Sequence, residues 1–220
     1  MIKKYLNTKL EKHTKKGNTF RVKALIKLGA NEWNRGLWGS CFGGYPKLAN
    51  LMISKGATDW ELGLMGSCRS GNRELVDIMI SKGATWWSAA LWYACLGGNI
   101  EIVNLMIEYG GSWWDTAMVY ACLGGHPEIV KLMISKGADV EYGLIYAYNN
   151  KLAHTLDFLS QFIVLNRIDL YRLRYKYYGK FVDKYIKAID LDLYNASMIR
   201  ELVLNFGPEW TCIHEFLKPN

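Results

Sequence analysis

Residues 56–82 read Gly-Ala-Thr-Asp-Trp-Glu-Leu-Gly-Leu-Met-Gly-Ser-Cys-Arg-Ser-Gly-Asn-Arg-Glu-Leu-Val-Asp-Ile-Met-Ile-Ser-Lys, and Gly83-Ala84-Thr85 opens the same phrase again. Outward from this stretch, Gly29, Gly56, Gly83, Gly110 and Gly137 recur every 27 positions. Cys41, Cys68, Cys95 and Cys122 keep that period, as do Trp33, Trp60, Trp87 and Trp114. Met52, Met79, Met106 and Met133 keep it too, each followed by isoleucine. A fixed period of this length marks a stacked array whose units bury their apolar faces only against their neighbours. Such an array offers a long surface for gripping another macromolecule and rarely encloses a catalytic pocket.

Each unit reads as two helices. Leu64, Ser67, Cys68 and Gly71 fall at i, i+3, i+4 and i+7, one face of a first helix. Its contact positions are small (Ser40, Ser67, Ala94, Ala121 and the four cysteines), so neighbouring backbones approach closely. Gly44, Gly71, Gly98 and Gly125 stop this helix, because glycine takes the left-handed C-cap cheaply. Asn72 and Asn99 then stand at the N-cap of a second helix, and Pro46 and Pro127 one position further on, where a missing N–H costs nothing. Ile102, Val103, Leu105, Met106 and Ile107 make the second helix apolar nearly all round, which predicts burial on two sides. It ends at Lys82-Gly83, a cation at the negative end of the dipole and then a terminator.

Projected backward, Leu10, Thr14, Gly17, Val22, Leu25 and Ile26 fit the register, which makes 2–28 a basic, polar-faced first unit. Forward, 137–163 keeps Gly137, Ala138, Gly143 and Ile145. The register therefore predicts six helical pairs over 1–163, the outer two degenerate, as end caps should be. Residues 164–220 leave the register and read as a helical C-terminal cap or extension, with an amphipathic helix over roughly 169–189.

The second half of the unit carries a family resemblance. Residues 98–110 (Gly-Asn-Ile-Glu-Ile-Val-Asn-Leu-Met-Ile-Glu-Tyr-Gly) and 125–140 (Gly-His-Pro-Glu-Ile-Val-Lys-Leu-Met-Ile-Ser-Lys-Gly-Ala-Asp-Val) resemble ankyrin repeats. Leu37, Leu64 and Leu91 match the leucine of the family's first-helix motif, and Ser/Ala-Cys replaces its Ala-Ala. The resemblance covers about 1–163 and implies an all-α, ankyrin-like helix-turn-helix solenoid that binds protein partners. One departure is large: the ankyrin period is about 33 residues, against 27 here. The deficit lies before the first helix, where the family builds a β-hairpin finger, so the segment before Leu64 predicts a turn and no hairpin. Shortened, Trp-marked arrays of this kind are similar to those of large DNA viruses of protists. That likeness implies a host protein as partner, and a C-terminal segment that recruits a host ubiquitin ligase as one alternative.

Charge and cysteine usage bound the setting. The net charge of +7 is uneven: residues 1–28 sum to +8, 29–166 to −3 and 167–187 to +5. A polyanion responds to such clustering more than to the total. No apolar run approaches the ~18 residues of a membrane span, and the N-terminal stretch lacks the apolar core of a secretory signal. The repeat cysteines sit on successive helices ~8–10 Å apart, beyond the ~7 Å Cα limit of a disulfide. Buried free thiols suit a reducing compartment, which points to the cytoplasm, with the nucleus also open.

Candidate sites follow from the helical angles. Positions two and five after the first-helix leucine lie near 200° and 140° around the helix, away from its buried side. They carry Gly39, Gly66, Tyr93 and Tyr120, then Phe42, Arg69, Leu96 and Leu123. An apolar stripe on an outward face marks an interaction surface, provided residues 164–220 do not cover it. The row Trp33, Trp60, Trp87, Trp114, doubled by Trp86 and Trp113, offers aromatic anchors. A strict period is also what packing between identical neighbours requires, and that reading of the row is preferred.

Arg172, Arg174, Lys176 and Lys180 interleave with Tyr175, Tyr177 and Tyr178, as in single-strand binders, and carry the alternative of nucleic-acid association. An amphipathic cap helix gives the same pattern. The cysteines lack the short spacing of a zinc site, and His13, His126, His154 and His214 form no catalytic set. No metal, cofactor or catalytic residue is expected, and the chain reads as a non-enzymatic protein-binding module.

Overall fold

The computed structural model describes residues 2–149 together with Thr155 and Leu159. The chain divides into units 1–162 and 163–220, and the described residues all belong to the first. The expected cap over 164–220, the Arg172–Lys180 segment and the second helix of the sixth pair lie outside the described residues.

Eleven helices run through the described residues, with no strand among them. They are α1 (Ile2–Lys15), α2 (Thr19–Lys27), α3 (Trp33–Gly43), α4 (Pro46–Ser54), α5 (Trp60–Ser70), α6 (Arg73–Ser81), α7 (Trp87–Gly97), α8 (Ile100–Glu108), α9 (Trp114–Gly124), α10 (Pro127–Ser135) and α11 (Val140–Asn149). The punctuation works as the residue types require. Asp59 Oδ1 accepts the Leu62 N–H at 3.1 Å, and Asn72 and Asn99 cap α6 and α8 at 3.0 Å each. Gly44, Gly71, Gly98 and Gly125 end the first helices with φ of 75°, 71°, 84° and 74°. As the shortened segment predicts, no hairpin finger forms among the described residues: three residues (57–59 and their equivalents) separate the repeat glycine from a first helix that begins at the tryptophan itself.

The core repeats with the sequence. Leu37, Leu64, Leu91 and Met118, the four methionines from Met52 to Met133, and Cys41, Cys68 and Cys95 are fully buried. Each large apolar side chain so placed contributes ~1.5–3 kcal/mol. First helices pack closely in the series α1, α3, α5, α7, α9, α11, whereas successive second helices hardly touch. That unequal packing leaves the outer sides of the second helices open to solvent. It also corrects the expectation of two-sided burial for the second helices. In α8 only Ile102, Val103 and Met106 are buried, Leu105 and Ile107 are half-buried, and Glu101, Asn104 and Glu108 face solvent. The first unit is basic but not wholly polar-faced, since Phe20 is 84% exposed.

Close packing of first helices rests on glycine. A Cβ at Gly66 would stand 2.9 Å from the Phe42 nitrogen, and one at Gly39 would stand 2.7 Å from the Glu11 oxygen. Both glycines are buried, so position two points at the preceding first helix in these units and not outward. Gly97 likewise presses on the Arg69 carbonyl, and Gly124 on that of Leu96.

Candidate functional site

A ladder of side-chain acceptors ties each unit to the next. Asn7 Oδ1 accepts the backbone N–H groups of Asn31 and Glu32 at 2.8 and 3.3 Å. Asn34 Oδ1 does the same for Thr58 and Asp59 at 2.7 and 3.1 Å. The Glu61 carboxylate takes Thr85 N–H at 3.0 Å, Thr85 Oγ1 at 3.2 Å and Trp86 N–H at 3.0 Å. Ser88 Oγ takes Ser112 N–H at 3.1 Å, and Asp115 Oδ1 takes that of Asp139 at 2.6 Å. Positions 7, 34, 61, 88 and 115 are thus one register position, filled each time by an oxygen acceptor. Here the cross-link between units that a hairpin would make is made by one side chain.

The Ser88 rung is short, and the chain around it adapts. Gly111 stands where Ala30, Ala57, Ala84 and Ala138 stand elsewhere, and a Cβ there would lie 2.7 Å from the Met106 oxygen and 3.0 Å from that of Trp87. Its loop therefore sinks far enough for Ser112 to reach Ser88. Trp113 follows with φ of 67°, whereas its equivalents Glu32, Asp59 and Trp86 have −82°, −85° and −79°. A bulky residue held in the left-handed region costs on the order of 1–3 kcal/mol.

On the first-helix layer the aromatics form a connected run. Phe42 lies 5.3 Å from Trp38, Trp38 lies 5.7 Å from Tyr93, and Tyr93 lies 5.9 Å from Tyr120. Tyr120 continues to Trp92 at 6.1 Å, and Trp92 to Trp113 at 5.6 Å. Glycine at position 66 keeps α5 low enough for Trp38 of α3 and Tyr93 of α7 to meet across it. Burial and the neighbouring phenols of Tyr93 and Tyr146 push the Tyr120 pKa up. At the N-terminal end, Lys15 Nζ sits 3.6 Å from the Phe42 ring centre and Arg69 Cζ sits 4.6 Å from it. Beyond the tyrosines, Leu96 is half-buried and Leu123 is 42% exposed.

Of the predicted stripe, Phe42, Arg69, Tyr93, Leu96 and Tyr120 are half-buried and Leu123 is open. Trp38 and Trp92, at position one after the leucine, were not expected in the run. Met65 and Val119 occupy the same position in the other units and hide the pattern.

Trp33, Trp60, Trp87 and Trp114 are all half-buried at the first position of their helices. Trp87 stacks on Tyr109 at 4.6 Å, Trp60 lies under Lys82 Nζ at 6.0 Å, and Trp33 borders Gly56. These partners all sit at the C-terminal end of a second helix, as the packing reading of the row requires. Among the described residues the exposed indoles are Trp86 and Trp113, at 58% and 66%. They line an open cleft of about 330 Å³ with Thr85, Trp87, Ser88, Ala89, Trp92 and Gly110.

The repeat thiols are buried and unpaired. Burial pushes Cys41 up to about 11 and Cys95 and Cys122 to about 12, and raises Cys68 as well. His126 sets its ring against Gly98, with Nε2 3.3 Å from the Leu96 carbonyl, so it braces adjacent units. Among the described residues no His/Cys/Asp/Glu group of metal-binding geometry occurs, and no helix is long and apolar enough to cross a membrane.

A helical pair repeated in register, capped by glycine and stacked by its first helices, defines a solenoid of interaction repeats. Residues 64–143 match the family described as ankyrin repeats, in three copies. Over residues 64–143 the chain carries ankyrin repeats, with the unit shortened to 27 residues. Ankyrin repeats are protein-interaction modules and not a catalytic fold. Among solved structures, the human ASB11 ankyrin repeat domain is 21% identical with a TM-score of 0.45, covering 69% of this chain and 82% of that one. No curated protein matches the chain.

Proposed function

We propose that the array binds a protein partner across its first-helix face, with Tyr93, Leu96, Tyr120 and Leu123 at the centre of the contact. The observation that carries this reading is the connected aromatic run from Phe42 through Trp38 and Tyr93 to Tyr120, on the helix that also carries the open Leu123. Rows a few ångströms beneath it are fully buried, so the array had apolar positions to hide and left these at the surface. Partly exposed aromatic groups set around an apolar centre are the usual make-up of binding hot spots. Leu96 and Leu123 stand, in two successive units, at the register position that the charged Arg69 fills in the unit before them, which turns that end of the face toward an apolar partner.

A photo-crosslinking residue at Leu123, compared with one at the solvent-facing Asn104 of α8, tests the surface in cells. A discrete protein adduct from position 123 alone supports the reading. Adducts from position 104 alone would place the contact on the second helices.

A second reading rests on the exposed cations of the first unit: Lys3, Lys4, Lys12, Lys15, Lys16, Arg21, Lys23 and Lys27. They favour a polyanion, and binding of single-stranded nucleic acid that falls steeply with salt would support it.

A further inference from the structure

We propose that the tryptophan cleft formed by Trp86, Trp87, Trp92 and Trp113 binds a quaternary ammonium group. Indole faces attract a cation through the ring quadrupole, and quaternary ammonium groups are held in aromatic surrounds for that reason. Four indoles line this one cleft of about 330 Å³, a volume suited to a small ligand.

Three observations select a cation without hydrogen-bond donors. First, the two ends of the aromatic run are treated differently. Phe42 has its own cations, Lys15 and Arg69, at 3.6 and 4.6 Å. No Lys or Arg occurs between Gly83 and Val130, a stretch that holds Glu101, Glu108, Asp115 and Glu128. Lys82, just before it, is turned to Trp60.

Second, the side-chain acceptors at the wall are already engaged, and the one unpartnered polar group, the buried Trp92 Nε1, is a donor that offers an ammonium nothing. Thr85 gives its N–H and hydroxyl to Glu61, and Ser88 Oγ holds Ser112. A primary ammonium would find few acceptors here, whereas a methylated one needs none. The Glu61 carboxylate, bound to Thr85 and Trp86, still supplies negative potential at the wall.

Third, Trp113 is held over the cleft at φ of 67°, the sole non-glycine residue with positive φ among the described residues. Strain of this kind persists where a site needs the geometry it enforces. The loop glycine at 111 and the short Ser88 rung create that geometry, and both depart from the other units at the unit that builds the cleft.

The test follows indole N–H signals by NMR while tetramethylammonium chloride is added to the full chain. Signals of Trp86 and Trp113, assigned from Trp86→Phe and Trp113→Phe, should shift saturably. The neutral isostere 3,3-dimethylbutanol should shift them at least tenfold less. Choline and a trimethyl-lysine peptide then separate the sources: tighter choline binding indicates a free or headgroup ligand, tighter peptide binding a modified protein segment.

Trp113→Gly guards against misfolding, because glycine adopts this φ without strain. That variant should unfold at the same urea concentration or higher and lose the tetramethylammonium response. Equal binding of the neutral isostere, or an unchanged response in a folded Trp113→Gly chain, would overturn the proposal. The cleft adjoins the proposed partner face where Trp92 lies 6.1 Å from Tyr120, but the tetramethylammonium response is read with no protein partner present, so either reading can fail alone.

Discussion

The Glu61 carboxylate holds the backbone N–H of Trp86 at 3.0 Å, bridging 25 residues from the start of one first helix to the start of the next. Asn7 and Asn34 make the same bridge, and all four of Asn7, Asn34, Ser88 and Asp115 hold the N–H one residue earlier, as Glu61 also holds that of Thr85. This ladder is how a 27-residue ankyrin unit keeps its register without strands. Rungs differ in burial, and that separates their effects. Asn7 is only 2% exposed, so Asn7→Ala strands two part-buried N–H groups and should lower stability by about 2 kcal/mol. Solvent can replace the carboxylate in Glu61→Ala, for which about 1 kcal/mol is expected. Urea midpoints check both, with exposed Glu74→Ala as the reference; equal effects from all three would reject the ladder.

Close helix approach predicts a difference between two glycines. Gly97→Ala drives a Cβ into the Arg69 backbone carbonyl, which cannot yield, and should cost about 1–3 kcal/mol. Gly63→Ala meets mainly the flexible Met79 thioether, and Ala90 already occupies the equivalent position. A loss below about 1 kcal/mol is expected there, and thermal unfolding of the two variants decides the order.

The repeat thiols should be inert in the native array. With Cys41 at about 11 and Cys95 and Cys122 at about 12, thiolate is scarce at pH 8. In a Cys212→Ser chain, a disulfide exchange reagent should modify none of the four rapidly until urea unfolds the array. Rapid native labelling of Cys95 would contradict the packing assigned to it.

Much of this architecture was legible because repetition writes the same constraint several times. Gly71, Asn72 and Pro127 carry backbone requirements that only a few residue types meet, so their letters give the helix ends directly. The ladder was not legible by the same means. Asn34, Glu61, Ser88 and Asp115 share an acceptor oxygen but no identity, so the repeat is one of chemistry. The aromatic run was half visible: Tyr93 and Tyr120 stood out, whereas the contact of Trp38 with Tyr93 depends on how low Gly66 lets α5 sit. The one-sided burial of the second helices depends on unequal spacing along the stack, which composition does not report.

The central functional claim, that the first-helix face is the partner surface, is tested most directly by Leu96→Glu with Leu123→Glu. Leu123 is open and Leu96 half-buried, so the pair should unfold near the parent temperature with an unchanged helical circular dichroism spectrum. Loss of a hot spot costs about 2 kcal/mol or more, so affinity for the protein crosslinked at position 123 should fall more than about tenfold. Undiminished binding by a folded double variant would contradict the claim.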